Sequence, residues 1–286
     1  MPIYKPSELH QFLEQLGVHP KKGLSQNFLI DGNILRKIVA SANLSSEDLV
    51  VEVGPGPGSL TEELLNSGAQ VIAVEKDPVF AQALSRLQPA DNRLEVFCDD
   101  IMEFPMESIV APRLKPGKKA KVIANLPYHL TTPIIGMLIK QRHLFSTLIL
   151  MVQEEVARRF VGNPRTSEYS SFTVFLNFYS RPSYAFTVGR QCFYPSPKVD
   201  SAIVVLELKE PPQVSDEEAF FTLTRTAFKQ RRKMLRGSLR ELYAPDAVVA
   251  ALQAIKQNPQ ARPEELSLDD FLNLFAILND IEKSKI

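Results

Sequence analysis

Asn125-Leu126-Pro127-Tyr128 carries the clearest chemistry in this chain. It follows Val122-Ile123-Ala124, a short apolar run that reads as a buried strand. An amide, a proline and an aromatic at a strand end suit the capture of a flat nucleobase by its exocyclic amine. That amine is a poor nucleophile because its lone pair is delocalised into the ring. The Asn125 side-chain oxygen and a backbone carbonyl of the Leu126–Pro127 turn can each accept one amine hydrogen, which localises the lone pair and aims it at an electrophile. Tyr128 offers a face on which the base can stack. Read alone, the same four residues also describe a strand closed by a proline turn with a tyrosine in the core.

Three more strand ends give the motif its context. Val51-Glu52-Val53-Gly54-Pro55-Gly56-Pro57-Gly58 joins a strand to a helix, and its glycines let the backbone approach a ligand closely. The G-x-G-x-G spacing is not the dinucleotide fingerprint, and no lysine is present for phosphates. Glu52 with a phosphate-free loop suits an adenosine carrying an amino-acid tail. Glu75 ends the next strand, where an acid can take both hydroxyls of a ribose. Asp99 and Asp100 end the third, where a carboxylate can accept from an adenine amine. Each feature alone is common in α/β proteins. Their order, closed by Asn125–Tyr128, points to S-adenosylmethionine, whose methyl group needs neither a metal nor a covalent intermediate.

The elements that position these residues read as an alternation. Strands are expected at Leu49–Val53, Gln70–Glu75, Leu94–Cys98, Lys121–Ala124 and Thr147–Val152. Helices are expected at Ser59–Asn66 with Ser59 as cap, Pro78–Leu87 with Asp77 as cap, Pro133–Lys140 and Glu154–Phe160. Before them lie a polar helical segment, a loop around Pro20–Asn27 and a helix through Ser41 capped by Asp31. Ala185–Val188 and Ala202–Leu208 read as a late antiparallel strand pair. The pattern is that of an α/β fold, a mostly parallel sheet with helices on both faces. Pro211-Pro212 ends it. Beyond lie only helices, near Asp216–Phe228, Arg231–Tyr243, Pro245–Gln253 and Leu268–Ile281. The expected division is a catalytic domain over 1–210 and a small all-helical domain over 211–286.

The 286 residues carry 44% hydrophobic side chains, ordinary for a globular protein with a sizeable core. Apolar runs such as Leu148–Val152 are too short to span a bilayer, and the start Met1-Pro2-Ile3-Tyr4-Lys5 is no signal peptide. Cys98 and Cys192 offer no metal spacing and no disulfide framework, so a reducing cytoplasm is expected. Net charge is zero, but it is segregated. Ser108–Gln153 holds no acid, and neither does Ala219–Arg240, which contains Arg225, Lys229, Arg231, Arg232, Lys233, Arg236 and Arg240. Two such runs, one beside the amine-gripping motif, point toward a polyanion.

From about Lys21 to Arg240 the chain resembles the small-subunit ribosomal RNA adenine dimethyltransferases, the family whose loss gives kasugamycin resistance in bacteria. The resemblance rests on Ser25-Gln26-Asn27-Phe28-Leu29, the Gly54–Gly58 loop with Leu60-Thr61, Glu75, Asp100, Asn125–Tyr128, Phe193-Tyr194-Pro195-Ser196-Pro197-Lys198-Val199-Asp200-Ser201, and Phe228–Leu235. It implies a Rossmann-like S-adenosylmethionine-dependent fold. It also implies that Asn27 and Leu29 close over the methionine end of the cofactor, that Gly54 lies beneath it, and that Glu75 holds the ribose and Asp100 the adenine. Asn125 would hold the target amine beside the cofactor, with Tyr128 and Phe193 sandwiching the base. The implied substrate is two adjacent adenosines near the 3′ end of small-subunit rRNA, each dimethylated at N6 within an immature subunit. The basic residues from Arg225 to Arg236 would contact phosphates. A monomer is expected, with no metal and no membrane partner. Ser25 stands where the family usually has glycine. Competing readings are the related large-subunit rRNA adenine methyltransferases of macrolide resistance, DNA adenine methylases, which carry Pro where Leu126 stands, and a non-catalytic assembly or transcription factor.

Overall fold

The computed structural model describes residues 3–20 and 26–283. Ser25 therefore lies outside the described residues. Internal contacts divide the chain into two compact units: residues up to Ala157 together with Ser183–Leu208, and Arg158–Pro182 together with everything from Lys209 onward.

The first unit begins with α1 (Pro6–Gln15), the two-residue strand β1 (Phe28–Leu29) and α2 (Gly32–Ser41). Asp31 caps α2 as its sequence suggests, with Oδ1 accepting from the backbone N–H groups of Asn33 at 2.9 Å and Ile34 at 3.2 Å. The alternation follows: β2 (Leu49–Val53), α3 (Ser59–Asn66), β3 (Gln70–Glu75), α4 (Pro78–Ala83), β4 (Leu94–Cys98), α5 (Met106–Val110), β5 (Ala120–Asn125), α6 (Thr131–Lys140), β6 (Phe145–Gln153) and α7 (Glu154–Phe160), which ends beyond this unit. After α8 (Ser171–Tyr179) come β7 (Ser180–Val188), β8 (Phe193–Tyr194) and β9 (Ser201–Leu208). Seven strands form one sheet in the order β4-β3-β2-β5-β6-β9-β7, and β1 pairs with β8 in a separate ribbon. The pairings of β2 with β3 and β5, of β3 with β4 and of β5 with β6 are parallel; β9 runs antiparallel to β6.

Burial explains why β2 is a continuous apolar run broken by one acid. All five of its residues are buried, as a central parallel strand with both faces covered requires. One face packs in a cluster with Leu35, Ile38, Val50, Leu64 and Ile123. Gly58, rather than Ser59, is the cap of α3: it has φ +91°, and Ser59 is the first helical residue with no capping side chain. Only glycine takes that left-handed conformation freely. It also lies against Leu84 and Leu87, so a side chain here would meet their methyl groups at 2.6 and 2.8 Å.

The second unit contains α8, α9 (Glu217–Lys229), α10 (Leu235–Ser238), α11 (Pro245–Ala254) and α12 (Leu268–Lys283). α8 is rich in aromatic and β-branched residues, and a reciprocal Ser170–Thr173 capping box starts it as a helix. Its Phe175 and Phe178 pack on Phe221 with ring centroids 5.3 and 5.1 Å apart, and tertiary burial of this kind overrides local propensity. This is why the segment 158–182, expected within the first domain, joins the helical unit instead. The expected helix Arg231–Tyr243 is also absent as such. The chain turns through Gln230–Lys233 and only Leu235–Ser238 is helical, because the Leu235 N–H donates to the Ala261 carbonyl at 2.9 Å rather than within a helix.

Replacing Gly58 by Ala combines a strained left-handed φ with overpacking against Leu84 and Leu87. Urea unfolding should show a loss of about 2 kcal/mol; an unchanged midpoint would contradict this account of the turn.

Candidate active site

The order of the sheet reverses at β2: the next strand in sequence, β3, lies on one side and β5 on the other. Such a switch point opens a crevice beyond the carboxyl ends of the strands. The register makes those ends level, with Val53 opposite both Val74 and Ala124. Gly54, Glu75 and Asn125 follow within one residue of that line and line a cavity of about 240 Å³ with Asn27, Leu29, Asp99 and Asp100.

Gly54 leaves β2 with φ +67°, and nothing lies within 4 Å of where a side chain would begin. The backbone is thus bare toward the cavity. Glu75 is 7% exposed. Its Oε2 accepts from the Gly56 N–H and its Oε1 from the Asp77 N–H, both at 2.8 Å. Burial pushes the carboxyl up, and these N–H donors pull it back. Each oxygen keeps a lone pair for an outside hydroxyl. Glu75 therefore ties the glycine loop to β3 while facing the cavity.

Glu52 is 1% exposed and also lines the cavity. Burial pushes its carboxyl up to about 8, offset in part by the nearby Thr61 hydroxyl and reinforced by Glu75. Its Oε2 has no hydrogen-bond partner among the described residues. An orphaned acid oxygen in such a place calls for a donor from outside the chain.

Asp99 and Asp100 both reach the cavity wall. Asp100 accepts from the Lys76 ammonium at 2.7 Å through Oδ2 and from the Met102 N–H at 3.0 Å through Oδ1. The Lys76 hydrogen bond is the main cause that holds its carboxyl below the usual carboxylate range. Asp99 Oδ1 accepts from the Asp100 N–H at 2.8 Å. The pair is thus fixed as two acceptors on one turn.

Asn125 ends β5. Its Nδ2 donates to the Asn27 carbonyl at 3.2 Å, which orients the amide and leaves Oδ1 as an acceptor with no partner among the described residues. Leu126 is held by its N–H on the Met151 carbonyl at 3.3 Å. The Pro127 carbonyl accepts from the Leu130 N–H at 2.9 Å and the Thr131 hydroxyl at 3.4 Å. Tyr128 sits half-buried in the next turn with its hydroxyl 2.9 Å from the Ser201 hydroxyl. Phe193 is 3% exposed. It pairs with Leu29 across the β1–β8 ribbon and packs in the core cluster with Leu29 and Met151.

The structure thus brings six of the expected residues to one cavity: Asn27, Leu29, Gly54, Glu75, Asp100 and Asn125. Tyr128 and Phe193 are not among its lining residues, and Phe193 lies in the core. Ser201 closes the Phe193–Ser201 motif, yet nothing in sequence links it to Tyr128, 73 positions away. Among the expected RNA-contacting residues of the second unit, Arg232, Lys233 and Arg236 are exposed, and their side chains have no ion pair or hydrogen bond among the described residues. Lys229 stands 3.9 Å from Glu241, and Arg225 donates to Thr222 at 3.2 Å. Arg231 is engaged within the unit, donating to the Ser167 and Thr166 carbonyls at 2.8 and 3.4 Å.

The acid-free stretch Ser108–Gln153 is a different matter. Arg113 pairs with Glu95 at 2.6 Å, Lys115 with Glu47 at 2.6 Å and Lys121 with Asp48 at 3.1 Å. Acids from elsewhere in the sequence thus pair with these three cations, while Lys118, Lys119 and Lys140 stay exposed.

The cavity fits S-adenosylmethionine: a bare backbone at Gly54, an orphaned Glu52 oxygen suited to an amino group, Glu75 with lone pairs for a diol, and a fixed acid pair suited to an adenine amine.

A family model described as ribosomal RNA adenine dimethylase matches residues 18–280. The ribosomal RNA small subunit methyltransferase A of Protochlamydia amoebophila is 62% identical over 283 residues, which cover 99% of this chain and 100% of that one. Its counterpart from Chlamydia felis is 46% identical over 277 residues, covering 96% and 95%. Among solved structures, a dimethyladenosine transferase from Plasmodium falciparum superposes with TM-score 0.72 at 28% identity, over 91% of this chain and 98% of that one. The 23S rRNA methyltransferase ErmE does so with TM-score 0.68 at 27% identity, over 88% and 100%.

Glu52 makes stability depend on pH. The unfolded chain ionises this group near 4.5, whereas the folded chain keeps its proton to about 8. Its contribution is therefore full at acid pH and is lost as pH rises between those values. Melting of the wild type and of Glu52→Gln across that window should show the wild type losing ground steadily; parallel profiles would overturn the assignment.

Proposed function

This chain belongs to the ribosomal RNA adenine dimethylase family, and on that premise we propose that it dimethylates N6 of two adjacent adenosines near the 3′ end of small-subunit rRNA. It is an S-adenosylmethionine-dependent methyltransferase. The observation that carries the reading is the Asn125 amide, whose Nδ2 is committed to the Asn27 carbonyl at the mouth of the Glu75 cavity.

The cofactor, when bound, supplies an electrophilic methyl group. Glu52 receives its amino group, Asn27, Leu29 and Gly54 enclose its methionine end, Glu75 holds its ribose and Asp100 its adenine amine. Asn125 Oδ1 accepts one hydrogen of the target amine. The Pro127 carbonyl is already engaged twice, so the Leu126 carbonyl takes the other. These acceptors are fixed before substrate arrives, and fixed acceptors in a partly dry site are worth more than the same groups in water. The methylated nitrogen carries an acidic proton that leaves to water, so no side chain is needed as a base. A base must leave its stack to reach this site, and Tyr128 and Phe193 are assigned as its two faces. For Phe193 this requires the β1–β8 ribbon to uncover the ring.

Arg225, Lys229, Arg232, Lys233 and Arg236 are assigned to phosphates, which give affinity and orientation but not sequence choice. The substrate is assigned as the immature small subunit in the cytoplasm, with the protein acting as a monomer. The identity to two proteins named small subunit methyltransferase A supports this over a large-subunit substrate.

Incubation with labelled S-adenosylmethionine and unmethylated small or large subunits, followed by mapping of the label, tests the proposal. Label should fall on two adjacent small-subunit adenosines, two methyl groups each, and Asn125→Ala should reduce it by about a hundredfold. Label on large subunits alone would refute the substrate. A second measurement addresses the basic surface. Replacing Arg232, Lys233 and Arg236 by Ala should weaken RNA binding and flatten its salt dependence by about 0.7–0.9 log units per lost phosphate contact, with cofactor affinity intact. An unaltered salt slope would remove these residues from the interface.

A further inference from the structure

We propose that Ser201 is a positioning residue for the target base, holding the Tyr128 hydroxyl and thereby setting the angle at which the Tyr128 ring meets a base brought to Asn125. The proposal rests on the reading of Tyr128 as a stacking face. It starts from the 2.9 Å contact between the two hydroxyls.

Ser201 is a rigid anchor. It is fully buried, opens β9 and pairs in register with Gln153 of β6. The preceding residue is held twice: the Asp200 carbonyl accepts from the Glu154 N–H at 3.0 Å, and its Oδ1 from the Arg190 N–H at 2.8 Å. Tyr128 by contrast is only half-buried and sits in a short turn between β5 and α6. No aromatic ring packs against it among the described residues, and Ser201 is its one side-chain hydrogen-bond partner there. A tyrosine ring has two rotatable bonds, and a hydroxyl bond at its far end removes the freedom that they leave. Burial pushes the phenol up, so the hydroxyl stays protonated and both partners can donate or accept.

The placement has a consequence for the site. The segment Phe193–Ser201 supplies Phe193 at one end, paired with Leu29, and the Tyr128 anchor at the other. One segment thereby sets both faces offered to the base. A ring tilted away from the base misplaces the amine relative to Asn125, and small misplacements of reacting groups cost rate steeply.

The test uses the full-length protein, labelled S-adenosylmethionine and unmethylated small subunits, with Ser201→Ala, Tyr128→Phe and the double variant. Each single variant should lower kcat by about tenfold, with melting temperature and calorimetric cofactor affinity unchanged. The double variant should be no worse than either single one, because both remove the same bond. Ser201→Thr, which keeps the hydroxyl, should recover activity. Should Ser201→Thr or Ser201→Ala fail to fold, Tyr128→Phe reads the same bond without touching β9. Wild-type rates in Tyr128→Phe or Ser201→Ala overturn the proposal, as do losses that multiply in the double variant or a fall in cofactor affinity. A wild type that methylates no small-subunit adenosine overturns the functional reading and this proposal with it. Methylation by the wild type with no effect of the variants overturns this proposal alone.

Discussion

The level register of β2 with its two neighbours is the constraint on which the rest of the site depends. Val53 pairs with Val74 on one side and Ala124 on the other, so three loops leave the sheet at the same height. A slip of one residue in either pairing would turn the side chains of a strand to the opposite face and carry Glu75 or Asn125 away from the cavity. The buried apolar residues of β2 oppose such a slip, because it would move Glu52 out of its pocket and put an apolar side chain in its place. Hydrophobic packing of the strands therefore sets the positions of the polar groups at their ends.

Glu75 and Asn125 are then tied to the surrounding chain by backbone hydrogen bonds rather than by ion pairs. Glu75 accepts from the glycine loop and from the turn after its own strand. Asn125 donates to the Asn27 carbonyl. Because Leu29 pairs with Phe193, the β1–β8 ribbon connects the residues assigned to the cofactor with those assigned to the base. Amide and backbone groups carry no net charge, so they lose less in desolvation than ionised partners would. Glu52 is the exception. It is a buried carboxyl, and keeping its proton to about 8 limits the cost of its burial.

Charge balance in this chain shows how a count can mislead. The two acid-free stretches look alike in sequence, and net charge is zero in either reading. In the first, Glu47, Asp48 and Glu95 come back in space to pair with Lys115, Lys121 and Arg113, while Lys118, Lys119 and Lys140 stay exposed. In the second, Arg232, Lys233 and Arg236 stay exposed. The contrast lies in which acids the fold brings near, a matter of tertiary distance.

The sequence by itself determined the alternation of strands and helices, the caps at Asp31 and Asp77, and the strand-end positions of Gly54, Glu75, Asp100 and Asn125. These are short-range features: side-chain period, capping chemistry and glycine placement act within a few residues. Gly58 as the cap of α3 was less visible, since a serine beside it is the commoner cap and only the backbone φ distinguishes them. Tertiary structure alone decided that residues 158–182 pack with the later helices, that Arg231 is bound to the Thr166 and Ser167 carbonyls while Arg232 is not, that Asn27 orients Asn125, and that Ser201 holds Tyr128. Each of these depends on groups brought together across tens of residues. Hydrogen-bond geometry and the burial of aromatic rings are properties of distance in space, and local pattern does not carry them.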